Sequence, residues 1–105
     1  MGKFYITTAI DYANSKPHLG TAYEKIGADV VARYRRLCGD EVFFVMGNDE
    51  HSQNVRKKAD ELKLPPKTFC DQMAEEFKTT WKELVVSNDF FIQTTMPVHH
   101  DMVRE

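Results

Sequence analysis

A chain of 105 residues carrying 14 basic against 16 acidic side chains, net charge -2, amounts to one domain or part of one. That balance excludes a basic polyanion-binding surface spread over the whole segment, leaving at most a local patch. With 42% hydrophobic and 29% charged residues the composition is that of a globular protein, and no apolar run approaches the roughly 18 residues of a membrane span. Cys38 and Cys70 are too far apart for a paired zinc motif and too few for a disulfide framework. They read as two reduced thiols. The amino terminus enters a strand-like run without a signal-peptide core, so a cytoplasmic location is expected.

Residues 4–10 are aromatic and β-branched and predict a buried strand. Residues 11–17, with Asn14-Ser15-Lys16-Pro17, predict a loop. A long helix follows, with Leu19, Tyr23, Ile26, Val30, Tyr34 and Leu37 on one stripe and Gly39 at its end. Arg33, Arg35 and Arg36 crowd its last turns and read as a solvated helix end. Residues 41–46 predict a second strand, ending at a Gly47-Asn48 loop signal. A polar helix is expected over 52–63, with Val55, Ala59 and Leu62 inward. A further helix over 66–85 carries the core stripe Phe69, Met73, Phe77, Trp81 and Leu84. A third strand over 90–94 and the opening of another helix from Pro97 complete the chain. The order β-α-β-α-α-β, with strands lacking polar alternation, predicts an α/β fold: parallel strands in the N-terminal half of a Rossmann-type nucleotide-binding fold, with helices on both sheet faces.

In such a sheet, ligands bind beyond the carboxyl ends of the strands. Two loops are expected there, residues 9–21 and 47–53. In the first, His18-Leu19-Gly20-Thr21 opens the long helix, where free N–H groups and the dipole suit a phosphate. His18 and Thr21 can donate to phosphate oxygens, and Gly20 lets a flat base approach. The competing reading makes His18 a helix cap, Gly20 a packing residue and Thr21 plain surface. In the second loop, Asp49 is suited to a ligand amine. The competing reading makes Asn48 or Asp49 an N-cap, with Glu50 near the dipole. A metal site at Asp49, Glu50 and His51 is disfavoured, because adjacent residues on one turn diverge. Phe69, Phe77 and Trp81 read as core, and His99 and His100 are assigned no role.

The run Thr7-Thr-Ala-Ile-Asp-Tyr-Ala-Asn-Ser-Lys-Pro-His-Leu-Gly20 resembles the HIGH signature of class I aminoacyl-tRNA synthetases. Gly47-Asn-Asp-Glu-His51 resembles the GTDEHG element of the methionyl-tRNA synthetases, and the likeness covers essentially the whole chain. The resemblance implies a methionine–tRNA ligase: methionine attacks the α-phosphate of ATP, giving methionyl-adenylate and pyrophosphate, and the methionyl group then passes to tRNA(Met). It implies His18 and Thr21 as catalytic, and His18, Gly20, Thr21 and Asn14 as ATP-binding. It implies Ala9, Ile10, Tyr12 and Asp49 around methionine, with Asp49 on the α-amino group. Mg2+ would arrive with ATP, with no metal ligand supplied by this chain.

The sequence departs from the motifs in three places. Thr21 stands where HIGH has its second histidine, and a hydroxyl donates without carrying charge. Ser52 replaces a glycine, and Asn48 stands where the family often has threonine. The KMSKS loop, the zinc insertion and the second Rossmann half of the family are not in residues 1–105. The expectation is therefore an N-terminal, truncated portion of the catalytic domain, reaching tRNA through other parts, not membrane-bound, weakly stable or self-associating. Two alternatives stand beside it. One is another HxGH-type nucleotidyltransferase, which substrate-dependent pyrophosphate exchange would separate. The other is a synthetase-like module without full activity.

Overall fold

The computed structural model describes residues 2–14 and 16–104. Met1 and Glu105 of the expected 1–105 unit, and Ser15 of the expected first loop, lie outside the described residues. The elements run β1 (Lys3–Thr7), β2 (Asp11–Tyr12), α1 (Leu19–Leu37), β3 (Glu41–Asp49), α2 (Gln53–Glu61), α3 (Pro66–Glu83), β4 (Phe90–Gln93) and α4 (Pro97–Arg104). The fold is mixed α/β, and every strand pairing is parallel.

β3 organises the sheet, and its run of Val42, Phe43, Phe44 and Val45 suits a pleated, half-buried strand. Carbonyls of successive strand residues point to opposite edges. Those of Val45 and Asp49 accept from Thr8 and Ala13, whereas those of Phe44 and Asn48 accept from Asp89 and Thr94. Hence β1 and β2 share one edge of β3, and β4 takes the other. Four steps of chain lead from Thr7 to Asp11, but three lead between their partners, Val45 and Asn48. One residue is extra, so residues 8–10 form a bulge.

This corrects both expected strands. The first stops at Thr7, bulges, and resumes at Asp11, where a loop was expected. The second runs on through Gly47, Asn48 and Asp49, because β2 and β4 pair with those residues. Gly47 allows the close approach: a Cβ there would overlap the Ile92 carbonyl and side chain.

Phe44, Met46 and Phe91 on one sheet face pack with Ala32 of α1 and with Ala74, Phe77 and Trp81 of α3. The other face leaves Tyr5, Phe43 and Phe90 exposed, with the Tyr5 and Phe43 rings stacked at 6.0 Å. Helices were expected on both faces, but α1 and α3 cover one. The strands are apolar on the bare face as well, and for that reason their sequence shows no polar alternation. A second cluster, with Val55, Ala59, Phe69, Cys70 and Met73, joins α2 to α3.

The stripe expected along α1 is present but points outward. Leu19 and Leu37 are 86% and 87% exposed, and Tyr23, Ile26, Val30 and Tyr34 are exposed between them. The buried side carries Lys25, Asp29 and Ala32, flanked by the partly buried Ala22 and Ala28. Small side chains let the helix lie close to the sheet, and the two charged ones are paired. Asp29 accepts from Arg33 and from the Ser87 N–H and hydroxyl. The arginines are more than a solvated end. Arg36 donates to Ser87 and Asp89, and Arg35 pairs with Asp40 and lies 4.8 Å from the Phe4 ring centre. Gly39, at φ +90°, ends the helix as expected. Leu62 and Leu84, expected inward, are exposed because α2 ends at Glu61 and α3 at Glu83.

Candidate active site

At the start of α1, His18 is the N-cap. Its Nδ1 accepts from the backbone N–H groups of Gly20 at 3.1 Å and Thr21 at 3.4 Å. Acceptance at Nδ1 assigns the ring proton to Nε2, a donor with no hydrogen-bond partner among the described residues, on an exposed side chain. The cap and the phosphate donor are thus compatible, on different nitrogens. A Cβ on Gly20 would stand 3.1 Å from His18 Cε1, so the glycine also makes room for the ring.

A cleft of about 230 Å³ is lined by Asp11, Tyr12, Asn14, Lys16, His18, Thr21 and Phe77. It gathers four of the expected site residues: Tyr12, Asn14, His18 and Thr21. Asp49 lies beside them, because Tyr12 and Asp49 are register partners and so share a sheet face, and Ala13 N–H donates to Asp49 O at 3.2 Å. The Asp49 carboxylate takes the His51 N–H on Oδ1 at 3.1 Å, and its other oxygen has no hydrogen-bond partner among the described residues. Ala9 and Ile10 stand in the exposed bulge, outside the lining of that cleft.

The capping alternative for the second loop is corrected. Ser52 caps α2, its hydroxyl accepting from Asn54 and Val55 N–H, and Asp49 belongs to β3. Glu50 turns away from the helix end and is buried. It accepts from Gln93 and Thr95, while its N–H donates to the Thr94 hydroxyl. Burial, reinforced by the nearby Glu50 charge, pushes the Cys70 thiol up to about 11. Cys38 and Cys70 are both free thiols. Asn48 is fully buried with neither amide atom hydrogen-bonded among the described residues.

The sequence reading missed Glu50 with its partners at the end of β4 and just after it, Phe77 as cleft wall, and the ion pair of the buried Lys25 with the partly exposed Asp11. Lys25 left one trace, a charge on the small-residue side of α1 one turn before Asp29. Among the described residues, no group of three or more His, Cys, Asp or Glu side chains is arranged to hold a metal ion, and no helix is long and apolar enough to cross a membrane.

A parallel α/β sheet with polar groups gathered beyond its strand ends, beside an exposed helix N-terminus, is the arrangement of Rossmann-type nucleotide-binding proteins. The chain belongs to the family of tRNA synthetases class I (M), which matches residues 4–105. The Thermotoga maritima methionine–tRNA ligase is 52% identical over 103 residues, which is 98% of this chain and 16% of that protein. The Deinococcus radiodurans methionine–tRNA ligase is 48% identical over 104 residues, 98% of this chain and 15% of that protein. The chain therefore spans about a sixth of the length of these relatives. The Mycobacterium tuberculosis methionyl-tRNA synthetase, solved in complex with methionyl-adenylate, superposes with a TM-score of 0.94 at 39% identity, over 96% of this chain and 20% of that one.

Proposed function

We propose that this chain supplies the HIGH-motif half of a methionine-activating site, within a methionine–tRNA ligase reaction that uses ATP, methionine and tRNA(Met). The observation that carries the proposal is the meeting of His18, Thr21, Asn14, Tyr12 and Asp49 at the carboxyl ends of β2 and β3 and the start of α1. His18 Nε2–H and the Thr21 hydroxyl donate to the ATP phosphates, which lie where the α1 dipole favours negative charge. Gly20 lies under the adenine, and Asn14 adds a polar contact. Tyr12 and Ile10, with Ala9 behind them, hold the methionine thioether against an aromatic face. The free oxygen of Asp49 takes the α-amino group. Catalysis is then positioning plus charge stabilisation, with no protein nucleophile. Mg2+ comes with ATP as part of the substrate.

The test is a hybrid in which this chain replaces the matching 103 residues of the Thermotoga maritima ligase. Methionine-dependent ATP–pyrophosphate exchange is expected. His18→Ala should lower it by about 10²–10³-fold, the scale for loss of one transition-state donor. A folded hybrid that is inactive, or that exchanges equally well with other amino acids, would contradict the reading.

A further inference from the structure

Lys25 has no part in the chemistry above, yet its side chain is 1% exposed. An ammonium is buried at high cost unless its three donors are met. Here Nζ donates to Ala9 O at 2.9 Å and to Glu24 Oε1 at 2.5 Å, and it pairs by charge with Asp11 Oδ2 at 3.0 Å, an oxygen with no hydrogen-bond partner among the described residues. Ala9 is within the bulge at residues 8–10, and Asp11 is the first residue after it. The bulge is thus tied to α1 across 16 residues of sequence by a group on the covered side of the helix.

A bulge re-aims the side chains around it, and an extra residue outside the ladder has more than one way to lie. Ile10 and Tyr12 alternate with the two tethered residues and are 41% and 56% exposed, and Tyr12 lines the cleft. We infer that Lys25 is a positioning residue for the amino-acid side of the site: its ammonium grips the bulge at Ala9 and Asp11 and sets the aim of Ile10 and Tyr12. The inference rests on the methionine-pocket reading of those two residues. Lys25 is not among the residues that line the cleft with His18 and Thr21.

The experiment is calorimetric titration of the full 105-residue chain with two probes, a non-hydrolysable methionyl-adenylate analogue and ATP. Lys25→Met keeps length and apolar bulk but removes every donor. It should weaken the analogue by about 10–100-fold, the scale of a misplaced contact group, while ATP changes by less than about twofold. Unchanged analogue binding overturns the inference. Equal loss for both probes also overturns it, since that marks general damage. Should Lys25→Met fail to fold, Lys25→Gln, which drops the charge but keeps a polar end, loosens the grip and is judged by the same selectivity. Failure of the unmodified chain to bind either probe sinks the pocket reading and this inference with it, whereas normal binding with an unselective variant sinks the inference alone.

Discussion

His18 shows how one side chain serves the fold and the ligand together. Nδ1 satisfies two of the orphan N–H groups at the start of α1, and Nε2 remains for an anion. The two roles separate by substitution. His18→Ala should cost about 1 kcal/mol of stability through loss of the cap, and His18→Asp, which still accepts but cannot donate, less than about 0.5 kcal/mol. Both should lose the phosphate donor. Urea unfolding of the three proteins checks the first pair of values, and equal stability of all three would show that the cap contributes nothing. The position of His18 was legible in the sequence because a Pro-His-x-Gly turn before a periodic run marks a helix start. The place of Lys25 was not. Lysines are almost never fully buried, and two of its three partners, the Ala9 carbonyl and the Asp11 carboxylate, lie 16 and 14 residues away.

At the scale of elements, the periodicity of α1 was legible, but the direction of its apolar stripe was not. Spacing locates a stripe; what covers it depends on the rest of the fold. The side that packs carries alanines and two paired charges, a pattern that composition alone would send outward. Asp29 is the second of those charges, and it ties α1 to the turn between α3 and β4. Burial pushes its carboxyl up, but the Ser87 hydroxyl and N–H, together with Arg33, outweigh this and hold it below its ordinary 3.8. A depressed carboxyl stabilises the fold fully above its unfolded value, and that stabilisation is lost as pH falls through the folded one. The chain should therefore lose stability on acidification below about pH 4, with Asp29→Asn flattening that part of the profile. At neutral pH the substitution should cost about 1.5–3 kcal/mol, the worth of hydrogen bonds to a charged group. Denaturant midpoints for both proteins across that range measure it, and parallel profiles would exclude Asp29 as a contributor. The strand boundaries escaped the sequence for a related reason: Gly47-Asn48 reads as a turn until β4 pairs beside it.

For the whole molecule, the parallel α/β order was legible from alternating periods, whereas the one-sided cover of the sheet was not. The exposed stripe of α1 and the Tyr5, Phe43 and Phe90 face together form more apolar surface than a solitary small protein usually shows. We therefore expect the 105-residue chain to self-associate. Sedimentation at rising concentration should show growing average mass, and a monomer with a sharp, concentration-independent melting transition would refute this. The central claim is that residues of β2, β3 and the α1 terminus together hold a methionyl-adenylate. It is tested most directly by titrating the chain calorimetrically with the non-hydrolysable analogue. The account predicts saturable binding that is lost in both His18→Ala and Asp49→Ala. A folded chain that does not bind, or that binds equally well with both residues replaced, would contradict it.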